Sequence, residues 1–161
     1  MGQIFFVCDF SLAFTKVIAY NFTSFVFSKI MEELMPLDKQ LSVFVQNKVG
    51  SLGELSTALA KAKINIKAIS IVDDLDWGIV RLVVDEPEKA KEILHELGLM
   101  YGEGQVVTVQ LGNHPGALAD LADKLGKKKI NIEQAFGTAT GDGSLIVLST
   151  TDDKKASSVV G

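Results

Sequence analysis

At 161 residues the chain can bury one good core or two small ones, and a composition 47% hydrophobic and 22% charged excludes a disordered protein. A formal net charge of −4, with Lys127-Lys128-Lys129 as the basic run, speaks against a nucleic-acid surface; that triplet closes a predicted helix, where cations favour the helix dipole. The single cysteine, Cys8, excludes an internal disulfide and a cysteine-based metal cluster, and fits a reducing, cytoplasmic setting.

Residues 1–34 differ from everything after them. They hold seven of the nine phenylalanines, at positions 5, 6, 10, 14, 22, 25 and 27. No Lys or Arg lies in Met1 to Cys8, as a signal peptide would require. Asp9 and Lys16 interrupt the apolar stretch, and the uncharged run from Val17 to Ser28 falls short of the roughly 20 residues that span a membrane. Met35-Pro36-Leu37-Asp38 looks like a natural protein start, so residues 1–34 read as an upstream extension in which no regular structure is legible. The functional alternative for this segment is a membrane-surface or partner-binding anchor.

From Gln40 to Gln46, apolar Leu41, Val43 and Val45 alternate with polar neighbours, Phe44 excepted, which predicts a half-buried strand. Asn47-Lys48-Val49-Gly50 is a turn, and Ser51 three residues before Glu54 has the capping-box spacing that opens a helix. Leu52, Leu55, Ala58, Leu59 and Ala62 mark its inward face. Ile64 to Val72 is a second strand, Asp73 to Asp76 a hairpin turn, and Gly78 to Val84 a third strand. Pro87 suits the first turn of a helix reaching about Leu97, with Ala90, Ile93, Leu94 and Leu97 inward; Gly98 stops it, and Leu99 to Tyr101 gives a short fourth strand.

The same order then returns: strand Val106–Leu111, helix Ala117–Lys127, strand Asn131–Thr138, turn Thr140–Gly143, strand Ser144–Thr150 and a helix from about Asp153. Residues 40–95 and 106–161 are one module written twice, 66 positions apart; from Val43 to Ile66, 11 of 24 residues equal their partners. The predicted fold is α+β: two ferredoxin-like βαββαβ modules in tandem (38–104 and 105–161), antiparallel sheets with helices on one face and the other face free. The second copy stops before its fourth strand, so that strand is cut off or another chain supplies it.

The strand–helix junctions carry the functional signal. A helix amino end presents unpaired N–H groups and partial positive charge to a carboxylate; glycine permits close approach or positive φ, and asparagine can donate and accept. Asn and Gly are also ordinary turn residues, which is the plainer account. The whole pattern resembles the ACT domain: a strand, Asn113-His114-Pro115-Gly116-Ala117-Leu118, a leucine-patterned helix, then Ile130-Asn131-Ile132. Copy one departs from it at Val49, where the family has proline, which loosens that turn.

The resemblance implies a non-catalytic regulatory module that binds an amino acid or similar small carboxylate between paired domains. Asn47, Val49, Gly50, Ser51 and Leu52 would form one half-site, and Asn113, His114, Pro115, Gly116, Ala117 and Leu118 the other. Facing residues would come from second strands, Ile69 to Val72 and Ala135 to Thr138, with Ile71 and Thr138 the chosen contacts. It further implies a homodimer, a regulated enzyme of amino-acid metabolism as partner, and no cofactor or metal.

Enzyme chemistry is poorly supplied. His95 falls on a helix surface, Cys8 has no nearby histidine, and the Asp74-Leu75-Asp76 fragment of calcium-loop spacing has Asp85 where a twelfth-position Glu belongs. Trp77 suits packing over a sheet edge better than lining a pocket. Gly137 to Gly143 lacks the Lys-Ser/Thr of a phosphate loop, and the sole arginine, Arg81, is mid-strand rather than in a loop. Two readings remain: the small-molecule sensor, and a ligand-free protein-interaction or assembly module acting on a partner enzyme.

Overall fold

The computed structural model describes residues 37–74, 76–140 and 143–161. The expectations for residues 1–34 and for the tips of the two hairpins lie outside the described residues. The elements are β1 (Leu37–Gln46), α1 (Ser51–Lys61), β2 (Ile66–Asp74), β3 (Trp77–Val84), α2 (Pro87–Glu96), β4 (Tyr101–Gly112), α3 (Ala117–Lys127), β5 (Ile132–Thr140), β6 (Gly143–Thr150) and α4 (Asp153–Val160). The order β-α-β-β-α-β is thus present twice, with the strand between the copies shared.

All six strands join in one antiparallel sheet, ordered β2-β3-β1-β4-β6-β5. The alternation legible in β1 decides its faces: Leu41, Val43 and Val45 turn toward the helices and meet Leu55 and Leu59 of α1 and Ala90 and Leu94 of α2. Val107, Val109 and Leu148 meet Leu121 and Leu125 of α3 and Ala156 of α4 in a second core. Each fully buried leucine contributes about 1.5–3 kcal/mol to holding helix on sheet. Pro87 stands in the first turn of α2, where its missing N–H costs no bond, and the Asp152 carboxylate accepts from the Lys155 N–H at 3.0 Å to cap α4.

Three expectations are corrected here. The short strand Leu99–Tyr101 and the strand Val106–Leu111 are one continuous strand, β4, running through the expected boundary at residues 104 and 105. Gly102 and Gly104 disfavour a strand locally, but β1 supplies a partner along this stretch, from Val43↔Tyr101 to Leu37↔Val107. Second, the place beside β4 for a fourth strand of the second module is filled from the same chain: Leu37–Gln40, the first part of β1, pairs with Gly104–Val107. Tyr101–Gly104 fills the corresponding place for the first module. Lys39 faces Gln105, its own counterpart 66 positions on, so the pseudo-twofold axis passes between them. Third, the face away from the helices is not free along its length. The sheet curls until β2 and β5 touch, and Gln134 on β5 donates from Nε2 to Gln40 Oε1 at 3.3 Å. Under that curl Val83, Val106 and Val147 are buried, with Ala68 and Phe136 packed on them.

Candidate functional site

At the ends of β1 and β4 the chain makes the same turn twice. Lys48 N–H donates to Gln46 O at 2.9 Å, and His114 N–H to Gly112 O at 3.0 Å. Ser51 N–H reaches Lys48 O and Ala117 N–H reaches His114 O, both at 3.3 Å; Glu54 N–H to Gly50 O and Asp120 N–H to Gly116 O close the first helical turns at 2.9 Å. Gly50 and Gly116 are the N-caps of α1 and α3, with φ 96° in both and ψ −19° and −18°. A Cβ on either would meet nothing within 4 Å, so glycine is needed here for the dihedral and not for space. The turn keeps this conformation with Val49 in place of proline, its side chain fully exposed.

The capping box expected from Ser51 and Glu54 does not form. The N-cap is Gly50, Ser51 is already the first helical residue, and no side chain caps α1. One position too far along, the Ser51 hydroxyl cannot serve the helix end; the Glu54 N–H goes to the Gly50 carbonyl instead. Ser51 Oγ is buried without a hydrogen-bond partner. Leu52, expected inward, is 40% exposed, and its counterpart Leu118 is 50% exposed.

Each junction borders a cavity. The first, about 340 Å³, opens between the turn with the start of α1 and the segment Leu97–Met100, which precedes β4. Phe44 N–H donates to Met100 O at 2.9 Å, holding that segment against the end of β1. The second, about 290 Å³, is bordered by the β4 end, the α3 start and Val160. Seven residues of the first (Phe44, Val45, Gln46, Lys48, Ser51, Glu54 and Leu55) have their counterparts 66 positions on in the wall of the second. The repeat therefore duplicates a cavity as well as a fold.

Among the residues singled out in sequence, Lys48's neighbour Ser51 lines the first cavity, and His114 and Ala117 line the second. Asn47 donates its backbone N–H to Asp76 O at 2.9 Å, tying the turn to the β2–β3 hairpin. The His114 ring lies over Gly112, with Nδ1 3.1 Å from Pro115 O. Ile71 and Thr138 lie exposed on the two outermost strands and line neither cavity. Because β1 and β4 are antiparallel, the Asn47 and Asn113 turns stand at opposite ends of their ladder, on the order of 50 Å apart along the strands at about 3.3 Å per strand residue. One chain does not bring them together.

Glu54 and Asp120, which were not among the expected site residues, line the two cavities, although the repeat carries an acid at both positions; Trp77, expected over a sheet edge, lines the first cavity. Local signals gave Leu97–Met100 a helix end and a strand start, but not its place against the β1 end, which is set by pairing distant in sequence.

No helix among the described residues is long and apolar enough to cross a membrane. A family model described as an ACT domain pair matches residues 36–160. A solved structure of a Bacteroides thetaiotaomicron protein superposes with a TM-score of 0.74 at 32% identity, covering 78% of this chain and 88% of that one. The ligand-free regulatory subunit of aspartate kinase from Thermus thermophilus superposes with 0.61 at 18% identity, covering 78% and 93%. Its counterpart from Thermus flavus gives 0.57 at 17%, covering 78% and 91%. No curated protein matches the sequence.

Proposed function

The chain belongs to the ACT domain pair family, and from that membership we propose that it is a non-catalytic regulatory sensor that binds an amino acid or a similar small carboxylate at its strand–helix junctions. One observation carries the reading: both junctions pair a glycine-capped helix amino end with a cavity, at matching positions of the repeat. The amino end offers N–H groups and partial positive charge to a carboxylate. Lys48 with Glu54, and His114 with Asp120, add a basic and an acidic group to each wall, as a zwitterion would use.

Ile71 and Thr138 lie too far out to join these cavities in one chain, so a ligand shared with a second strand needs a second copy whose turns face β2 and β5. We therefore read the protein as a homodimer in which ligand favours one arrangement over another. The fold shared with regulatory subunits of aspartate kinase supports an enzyme of amino-acid metabolism as the regulated partner, and a cytoplasmic setting follows from that role. The modules 38–104 and 105–161 act in this reading as one composite unit.

A thermal-shift screen of the twenty amino acids at millimolar concentration tests the proposal. Stabilisation by at least one of them is expected, and its loss when Gly50 and Gly116 are both replaced; silence across the set would sink it. A second reading has its own support: Ile69, Ile71 and Val72 of the edge strand β2 are 42%, 51% and 41% exposed, as an assembly surface would be. That reading expects no ligand response and a concentration-dependent mass, abolished by Ile71→Lys.

A further inference from the structure

The two cavities share their polar rim and differ in their walls. Phe44, Trp77, Leu97 and Met100 surround the first, and all four are exposed large apolar side chains, 39%, 49%, 43% and 69% accessible. At the corresponding positions the second module has Gln110 for Phe44 and Gly143 for Trp77, and its cavity takes Lys124 into the wall instead. Apolar surface concentrated around one concavity is costly to leave in water and marks a place where something apolar sits.

Ser51 supplies the second observation. It is 7% exposed, it lines the same cavity, and its Oγ has no hydrogen-bond partner. The fold does not need this hydroxyl, since the identical turn in the second module is followed by Ala117. A buried hydroxyl without a partner is a loss to the free protein; Ser51 Oγ is sealed from solvent as it stands, and a bound acceptor would recover it once the side chain turns to another staggered rotamer facing the cavity. The volume, about 340 Å³, lies near the small end of ligand pockets, roughly 300–1,000 Å³, and suits a single amino acid.

We infer that the first cavity is the specificity pocket for an α-amino acid with a bulky apolar side chain, aromatic, branched or thioether. Its carboxylate meets the amino end of α1, Lys48 and the Ser51 hydroxyl; its ammonium meets Glu54; its side chain packs between Trp77 and Met100. This rests on the amino-acid reading above and adds which class is selected and by which module.

Trp77 is the only tryptophan of the chain, so its emission reports directly on this pocket. Full-length protein is titrated with L-leucine, L-methionine, L-phenylalanine and L-isoleucine, and in parallel with L-aspartate, L-lysine and L-serine, by calorimetry and by Trp77 fluorescence. Saturable binding of the apolar set with a shift in Trp77 emission is expected, at affinities well above those of the polar set. Ser51→Ala is expected to raise the melting temperature of the free protein yet weaken the apolar ligand about tenfold or more, the value of a hydrogen bond to a charged group. Ser157→Ala, which removes the other buried hydroxyl without a partner among the described residues, is expected to leave binding unchanged. Binding confined to the polar set overturns this inference and leaves the amino-acid reading standing. Apolar binding without a change in Trp77 emission, or untouched by Ser51→Ala, places the site elsewhere and also overturns it. No binding by any of the seven overturns it outright, and the twenty-member screen then decides the broader reading.

Discussion

At Gly50 and Gly116 the backbone turns through the same angles with the same hydrogen bonds, yet the walls around the two turns keep a like polar rim and differ in their aromatic and small side chains. Where the first module has Phe44, Ser51 and Trp77, the second has Gln110, Ala117 and Gly143. The contrast extends to the helices that follow. Beneath α2, Lys39, Lys91, Glu88 and Glu103 form a four-membered ion network; the corresponding positions hold Gln105, Ser157, Lys154 and Leu37. What the backbone geometry demands is repeated, and what only lines a surface has diverged. A duplicated site can in this way keep one construction and acquire two specificities.

The largest effects test whether two modules with one sheet behave as one body. Leu82 and Leu148 are counterparts, 1% and 0% exposed, one in each core. Each Leu→Ala replacement is expected to cost about 2–5 kcal/mol. Because β1 and β4 each complete both modules, Leu148→Ala should shift the denaturation of Trp77, in the first module, as far as it shifts the circular dichroism of the whole chain. Separate transitions by the two probes would show that the shared strands do not couple the cores.

Next in size, Gly50→Ala and Gly116→Ala probe the repeated turn itself. Neither added methyl meets another atom, so the cost is the dihedral alone, about 1–3 kcal/mol. Equal losses in the two modules are expected from urea denaturation. A difference beyond about 0.5 kcal/mol, the usual limit of additivity, would mean that the turns are less alike than their angles.

How much of this was legible beforehand follows from what each feature depends on. The helix Ala117–Lys127 could be read to the residue, because leucine spacing and the glycine before it are local. The junctions were legible for the same reason, and the repeat doubled the signal. The fusion of Leu99–Tyr101 with Val106–Leu111 was not, since a strand through Gly102 and Gly104 is sustained by β1, some sixty residues earlier. Nor was the failed cap: Ser51 with Glu54 has the right spacing, but the left-handed Gly50 starts the helix one residue sooner. The cavity walls joined residues as far apart as Phe44 and Met100, which periodicity cannot bring together.

A smaller effect is expected where the turns differ in sequence but not in shape. The Val49 position takes proline in the second module with the same following glycine geometry. Val49→Pro should therefore fit without strain and stabilise by about 0.4–1 kcal/mol through the unfolded chain. A melting temperature that falls would show that the first turn needs freedom at Val49 that the second has given up.

The smallest effect concerns the ion network, because its members are largely exposed and screened by water. Lys39 and Lys91 hydrogen-bond to Glu88 and hold its carboxyl at about 2, and the same two lysines lower Glu103, Lys91 acting most strongly there. Both lysines are raised in turn, chiefly by Glu88. Unfolded glutamate titrates near about 4.3, so the network's contribution is complete above that pH and drains away as pH falls from there toward about 2. At the other extreme the raised lysines keep their contribution up to the unfolded lysine value, near about 10.4, and lose it above. The corresponding positions Gln105, Ser157, Lys154 and Leu37 cannot form such a network, so the acid-sensitive contribution originates in the first module and is felt by the whole sheet. Comparing the wild type with a Lys39→Met, Lys91→Met double variant, the gap in melting temperature should shrink from pH 7 to pH 2.5, and also in about 1 M salt, where screening reaches about 3 Å. A gap that holds constant across both series would mean that the two lysines stabilise through their methylene stems, and that the modules differ here in packing and not in charge.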